Sequence, residues 1–185
     1  MQENDIIFLL GLPGCGKTAI GKLLSDKLNF EFIDLDMLIR KKEEKNIGSI
    51  FREQGEVYFR GKESFYLQNL PLGNPLVISL GGGTPCFHDN MNWIKKKGTS
   101  YYLKAPAEVS ARRLQNTSER PLLQNHKNEN LIKKLQELLK QRESFYTLAD
   151  FTVECGNDPP ENPSPPSEGG LPPSRLPCEA PRREA

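Results

Sequence analysis

The stretch GLPGCGKT, residues 11–18, decides the fold of this chain. It directly follows the apolar run IIFLL at 6–10 and directly precedes an amphipathic stretch at 18–28. A strand, then G-x-x-x-x-G-K-[ST], then a helix is the context that predicts a P-loop rather than an ordinary glycine-rich turn. In such a loop the backbone N–H groups turn inward around phosphate oxygens, and the helix N-terminus adds partial positive charge. We therefore expect Lys17 at the β- and γ-phosphates of a nucleotide and the Thr18 hydroxyl on Mg²⁺.

Strand-sized apolar runs alternate with amphipathic stretches over residues 1–155. Besides 6–10, runs rich in β-branched or aromatic residues lie at 30–33, 76–80, 99–103 and 150–154. Two helical patterns have an apolar face, one at 18–28 and the other at 130–146. The first face is formed by Ile20, Leu23, Leu24 and Leu28, the second by Leu131, Ile132, Leu135, Leu138 and Leu139. This alternation predicts a three-layer α/β domain, with a five-stranded parallel sheet and helices on both faces.

The composition excludes several classes of partner. The chain has 185 residues, and its 25 lysines and arginines against 24 acidic residues leave a formal net charge of +1. That balance gives no electrostatic case for nucleic acid or an anionic membrane as the main partner. No apolar run reaches the roughly 18 residues that span a bilayer. The four cysteines show no metal-ligand spacing, and the expected compartment is the cytoplasm.

Two segments differ from the rest of the domain. Residues 115–130 are polar and lie between helical patterns, and a loop of that length is typical of a lid, in which Arg120 would close over phosphates. Residues 156–185 contain nine of the fifteen prolines and almost no large apolar side chains. Such a composition cannot bury enough surface to offset its ordering entropy, so a disordered tail is expected after a domain at 1–155.

The segment FIDLD, residues 32–36, places two carboxylates after the second apolar run. Because the run at 76–80 ends in a serine and glycines, Asp34 is the candidate that holds Mg²⁺ through water; helix capping is the alternative. If the strand geometry persists, Asp36 points to the same side about 6–7 Å further along, toward the group that accepts the phosphate. A hydroxyl acceptor needs a carboxylate to orient it and take its proton, although Asp36 also fits a helix cap.

Arginines and a glycine triplet complete the candidate site. Arg52, Glu56, Arg60 and Glu63 follow each other at helical spacing. In one interpretation they form a solvated ladder of ion pairs along the helix. In the other, Arg60 binds an anionic substrate and Glu63 holds the guanidinium in place. Arg142 is either an ordinary helix arginine or part of the site. The glycines at 81–83 form either a flexible turn or a place where backbone approaches a ligand closely, and their position after a strand favours the second.

These segments together resemble the shikimate kinases, small P-loop kinases that transfer the ATP γ-phosphoryl group to the 3-hydroxyl of shikimate. The matching segments, in the order of that family, are GLPGCGKTAIGKLLS, FIDLD, FREQGEVYFRGKE, VISLGGGTP, ERPLL and RESFYTLAD. The resemblance covers roughly residues 5–155. It implies a P-loop kinase fold, ATP and shikimate as small-molecule partners, Mg²⁺ as cofactor and a monomer.

The resemblance also implies roles for single residues. The ATP-binding set is Gly14, Cys15, Gly16, Lys17, Thr18, Ala19, Arg113 and the lid residue Arg120. Asp36 would bind the acceptor hydroxyl, and Arg60 and Arg142 the shikimate carboxylate, a use that suits the bidentate guanidinium. Gly82 would contribute backbone and Glu63 would support Arg60. Catalysis would rest on Lys17, Asp36 and Arg120, with Thr18 and, through water, Asp34 at the metal.

The tail departs from the family pattern. In the family, the strand that resembles DFTVE leads to an adenine-contacting loop and a closing amphipathic helix, whereas here CGND is followed by proline-rich sequence. Two rival functions therefore stay open beside shikimate kinase. One is a nucleotide-binding regulatory protein with weak or no turnover, and the other is a kinase of another small hydroxy acid such as gluconate.

Overall fold

The computed structural model describes residues 5–115 and 128–156. Within them, one parallel sheet is formed by β1 (Ile6–Leu10), β2 (Glu31–Asp34), β3 (Leu76–Ser79), β4 (Thr99–Lys104) and β5 (Phe151–Glu154). The strand order is β2-β3-β1-β4-β5. The predicted five-stranded parallel sheet is confirmed. Because β1 is central, the loop after it opens at the carboxyl edge of the sheet, where α/β proteins bind ligands.

Six helices connect the strands in the described part of the chain. They are α1 (Lys17–Leu28), α2 (Leu35–Glu43), α3 (Ile47–Gln68), α4 (Asn90–Lys97), α5 (Ala107–Gln115) and α6 (Asn128–Tyr146), and a short 3₁₀ turn spans Thr84–Cys86. The sequence prediction located α1 and α6 to within two residues. None of the helices in the described ranges is long and apolar enough to cross a membrane.

The central strand shows how the helices cover both faces of the sheet. Phe8 and Leu9 are buried, and as neighbours in a strand they point to opposite faces. Phe8 packs edge-on against Trp93 of α4, with ring centroids 6.0 Å apart. On the other side, a Cβ added to Gly21 of α1 would lie 3.3 Å from Leu9. The two helices therefore lie on opposite faces, and the predicted three-layer α/β architecture is confirmed.

The predicted apolar face of α1 is wrong in part. Leu23 and Leu28 are 36% and 42% exposed, whereas Lys17, Gly21 and Ser25 are buried. These three residues recur every four positions, so they form one face of the helix. Apart from Lys17, whose ammonium turns into the P-loop, this face has small residues because α1 lies close to the sheet: a Cβ on Gly21 would collide with the ring of Phe32. A hydrophobic pattern alone cannot reveal a helix that packs through small residues.

Parts of the predicted organisation lie outside the described residues. These are residues 116–127 of the predicted lid, Arg120 among them, and 157–185 of the predicted tail. The domain boundary at 155 and the properties of the lid and tail stay predictions.

Candidate active site

The P-loop connects β1 to α1 as the motif predicts. Gly16 precedes α1 with a φ of 106°, a left-handed conformation that favours glycine, and its carbonyl accepts the first helical hydrogen bond from Ile20 N at 2.9 Å. A Cβ on Gly14 would meet the Ser110 carbonyl and Leu114 of α5. The loop is thus pressed against α5, and its shape depends on glycine at both positions.

Lys17 is buried inside this loop. Its ammonium donates hydrogen bonds to the carbonyls of Gly11 and Leu12, both at 2.9 Å, and lies 3.6 Å from Cys15 Sγ. Only 6% of Lys17 is exposed. The positive charge is therefore held within the cradle formed by the loop, where the motif predicts the phosphates.

Thr18 and Asp34 meet at the start of α1. The Thr18 hydroxyl donates to Asp34 Oδ2 at 2.7 Å, while Asp34 Oδ1 accepts from Met37 N at 3.1 Å. The structure thus realises the capping alternative for Asp34 and also places this carboxylate beside the P-loop hydroxyl. A hydroxyl and a carboxylate are the oxygen donors that Mg²⁺ takes from protein when phosphates and water complete its shell. The donor set therefore fits the predicted metal.

The extended strand geometry predicted for Asp36 is wrong, although its carboxylate does lie beside other predicted site residues. β2 ends at Asp34, so Asp36 lies in the first turn of α2 and not on an extended strand. The helix nevertheless turns its carboxylate toward the glycine triplet, where a Cβ on Gly81 would be 2.8 Å from Asp36 Oδ1. The carboxylate of Asp36 also lies near Glu63, because its charge contributes to raising the pKa of Glu63.

Arg60 does not belong to a solvated ladder. Arg60 is 7% exposed and Glu63 is 1% exposed. The guanidinium donates to Glu63 Oε2 at 2.5 Å and to Glu56 Oε1 at 2.9 Å, and its carbon lies 4.6 Å from the centre of the Phe87 ring. Arg52 takes no part in this arrangement and donates to Ser49 Oγ at 3.3 Å. The cation is held by two carboxylates and an aromatic ring, as a fixed anion-binding group would be.

Burial sets the electrostatics of the Arg60–Glu63 pair. It raises the pKa of Glu63 above its ordinary value, while the charge of Arg60 and a 2.7 Å hydrogen bond from Thr84 Oγ1 oppose that effect. Burial also acts to lower the pKa of Arg60, but Glu63 and Glu56 outweigh it and the net shift is upward. Arg60 therefore stays cationic. Its positive charge is the reason that the carboxylate of Glu63 can be buried here.

The glycine triplet lies against four predicted site residues: Asp36, Arg60, Glu63 and Arg142. A Cβ on Gly81 would approach Asp36, and one on Gly83 would lie 2.5 Å from Arg60 Nη1. A Cβ on Gly82 would lie 3.3 Å from Arg142 Nη1 and 3.0 Å from Pro13 Cδ of the P-loop. This supports the interpretation that the backbone at 81–83 must come close to its neighbours, because side chains here would displace the charged groups of the site. Gly82 also brings the P-loop and the arginine-lined region together.

Arg142 lies at this site and not on an outer helix surface. It is partly buried on α6, within one turn of Tyr146, whose hydroxyl donates to the Gly82 carbonyl at 2.5 Å.

Arg113 lies on the nucleotide side, where its guanidinium donates to the carbonyl of Cys15 at 3.1 Å and to that of Gly156 at 3.2 Å. Of the predicted site residues, Arg120 alone lies outside the described part of the chain.

Comparison with known proteins identifies the family. The family model described as shikimate kinase matches residues 13–164. The shikimate kinase of Chlorobium chlorochromatii is 42% identical over 158 residues, which cover 83% of each chain, and that of Persephonella marina is 38% identical over 83% of this chain and 91% of its own. The chain belongs to the shikimate kinase family.

Solved shikimate kinases have the same fold. The crystal structure of the enzyme from Bacteroides thetaiotaomicron superposes with a TM-score of 0.79 at 38% identity, covering 82% of this chain and 86% of that one. The enzyme from Acinetobacter baumannii, solved in complex with shikimate, gives 0.78 at 36% identity, covering 85% and 87%. The predictions of family, P-loop kinase fold and kinase activity dependent on ATP are therefore confirmed.

Two contacts of this family member were not predicted. Thr84 donates to Glu63, and Tyr146 donates to Gly82. Tyr146 lies four residues after Arg142 on a predicted helix, so helical spacing alone was a usable indication that both side chains share a face. No such indication exists for Thr84, which reaches Glu63 from a distant part of the sequence.

Proposed function

We propose that this protein transfers the γ-phosphoryl group of ATP to the 3-hydroxyl of shikimate, giving shikimate 3-phosphate. The single observation that carries the proposal is the convergence of Asp36, Arg60 and Arg142 on the three glycines at 81–83, next to Pro13 of the P-loop. A carboxylate for a hydroxyl and two guanidiniums for a carboxylate are thereby brought beside a phosphate cradle. The partners are these two small molecules, and the protein acts as a monomer in the cytoplasm without nucleic acid or membrane.

On the nucleotide side, backbone N–H groups of the P-loop and the ammonium of Lys17 bind and orient the phosphates. Lys17 exchanges its bonds to the Gly11 and Leu12 carbonyls for phosphate oxygens, a short movement because those carbonyls are part of the same loop. Thr18, directly, and Asp34, through water, would hold Mg²⁺, which when bound would neutralise phosphate charge. We expect Arg113 near the adenine, and Arg120, which lies outside the described residues, at the nucleotide phosphates.

On the acceptor side, Arg60 and Arg142 bind the carboxylate of shikimate. Glu63 and Glu56 fix the plane of Arg60 before the substrate arrives, so little side-chain entropy is lost on binding. Asp36 accepts the proton of the 3-hydroxyl as that oxygen attacks phosphorus. Because phosphoryl transfer needs mainly positioning and charge stabilisation, this set of groups is sufficient for the reaction.

The test offers the purified protein ATP and Mg²⁺ with either shikimate or gluconate and measures ADP release. We expect ADP release that depends on shikimate and not on gluconate. Turnover with gluconate would favour a kinase of another hydroxy acid. Tight ATP binding without turnover on either compound would favour the nucleotide-binding regulatory protein.

Asp36→Asn tests the role of the acceptor carboxylate. The amide keeps the size of the side chain but cannot take the proton, so kcat should fall by about 10²–10⁴-fold. The ATP dissociation constant, measured by calorimetry, should stay within about twofold of the unchanged protein. Asp26→Asn, an exposed position on α1, serves as the matched control and should change neither value. A loss of ATP affinity in Asp36→Asn would contradict the division of roles between Asp34 and Asp36.

A further inference from the structure

Tyr146 ends α6 directly beneath the glycine triplet. It is fully buried, and its hydroxyl donates to the Gly82 carbonyl at 2.5 Å. The guanidinium of Arg142, one helical turn earlier, lies near enough to the same hydroxyl to oppose the upward shift that burial gives to the pKa of Tyr146. The phenolic oxygen thus donates to the backbone of Gly82, and a Cβ on Gly82 would in turn lie 3.3 Å from Arg142 Nη1, so both proposed shikimate-binding groups lie beside Tyr146.

We propose that Tyr146 is a positioning residue for the acceptor subsite, which aligns Arg142 and the Gly82–Gly83 peptide for the carboxylate of shikimate. This inference rests on the proposed function and adds to it a residue that makes no contact with either substrate. Arg142 alone would be a long side chain on a half-exposed helix face, free to adopt several rotamers. The nearby phenol and the backbone of Gly82 restrict these rotamers.

The bond to Gly82 orients a peptide group. The Gly82 carbonyl belongs to the same planar unit as the Gly83 N–H, so holding the oxygen also determines the direction of that N–H. Glycine has no side chain to restrict this plane, and Gly82 lies between Pro13 and Arg142 with little space on either side. A rotated plane would disturb the contact between the P-loop and the acceptor subsite.

The tyrosine is chemically suited to this role. Burial raises its pKa above the ordinary range, so the phenol keeps the proton that it donates to Gly82. Its ring packs against Tyr102 with centroids 5.1 Å apart, so the position of the ring is set by packing and not by the hydroxyl. Removing the oxygen alone should therefore leave the helix in place and release the two groups that the oxygen aligns.

The test compares Tyr146→Phe with Tyr102→Phe, which removes the hydroxyl from the other member of the same aromatic pair. In Tyr146→Phe we expect the KM for shikimate to rise about tenfold, equivalent to about 1.4 kcal/mol, with the KM for ATP within about twofold. In Tyr102→Phe both KM values should stay within about twofold. Thermal midpoints are measured for both, and the assays are run well below the lower midpoint so that only folded protein is compared.

A merely structural role predicts a different pattern. It would lower the thermal midpoint of Tyr146→Phe while leaving the shikimate KM equal to that of Tyr102→Phe, or would raise both KM values together; either result overturns the inference. If the unchanged protein neither turns over nor binds shikimate, the proposed function fails and the inference fails with it. If the unchanged protein is active and only the selective rise is missing, the inference alone fails.

Discussion

The side chain of Asp34 is compatible with both roles that its sequence position predicts, a helix cap and a carboxylate at the metal. One oxygen accepts from Met37 N and caps α2, and the other accepts from the Thr18 hydroxyl. A carboxylate has two oxygens with several lone pairs, so capping a helix leaves enough acceptor capacity for water on a metal. Sequence spacing presents these roles as alternatives, whereas the side-chain geometry allows both.

Thr18 offers a prediction at the same scale. Thr18→Ala removes the oxygen proposed to bind Mg²⁺, whereas Thr18→Ser keeps it. We expect Thr18→Ala to shift the Mg²⁺ dependence of ADP release to about 10–100-fold higher concentration and Thr18→Ser to stay within a few-fold of the unchanged protein. The measurement is the initial rate against free Mg²⁺ at constant ATP. Equal Mg²⁺ dependence in the alanine variant would contradict the assignment of this hydroxyl.

At the scale of elements, α3 is interrupted at Gly55. Its backbone there has φ 82° and ψ 172°, a conformation that is open essentially only to glycine. The break separates the start of the helix, at 47–54, from the part that carries Arg60 and Glu63. This turn in direction lets one element begin beside α2 and still aim its arginine into the site.

Two glycines of α3 give a matched pair of variants. Neither Gly55 nor Gly61 has an atom within 4 Å of an added Cβ, so a steric clash of the new methyl group is excluded at both positions. Gly55→Ala should lower the free energy of unfolding by about 1–3 kcal/mol, because alanine is strained at that φ. Gly61→Ala should raise it by about 0.5–1 kcal/mol, because alanine has less backbone entropy to lose in a helix. Denaturant titration measures both, and a change of the same sign in both would contradict the strained kink.

At the scale of the molecule, a surface cluster around Glu43 connects two helices of the proposed substrate-binding region. Its carboxylate, at the end of α2, contacts Lys62 Nζ at 2.9 Å and accepts from the hydroxyls of Tyr66 at 2.7 Å and Tyr58 at 2.9 Å. The hydrogen bond from Lys62 is the main cause that lowers the pKa of Glu43 to about 2, and Tyr66 is the next. This cluster links the helix that carries Asp36 to the one that carries Arg60.

The lowered pKa of Glu43 predicts a pH dependence of stability. The ionised group stabilises the fold fully above its ordinary pKa of 4.5, and that contribution is lost as the pH falls toward about 2. The thermal midpoint of the unchanged protein should therefore exceed that of Glu43→Gln near pH 6, and the difference should shrink between about pH 4.5 and pH 2. Glu44→Gln, one residue further on and exposed, is the matched control. A difference that is constant from pH 6 to pH 3 would contradict this role.

The sequence by itself determined the P-loop, the five parallel strands and the family, because each depends on local spacing or on an ordered set of short motifs. The lid arginine Arg120 and the tail remain predictions of that kind. Only the tertiary structure decided that Arg60 and Glu63 are a buried pair, that a helical turn aims Asp36 at Gly81, and that α1 packs through Lys17, Gly21 and Ser25. The physical reason is that burial and direction depend on residues distant in the chain. Tyr146 and Gly82, 64 positions apart, meet only when the sheet has formed.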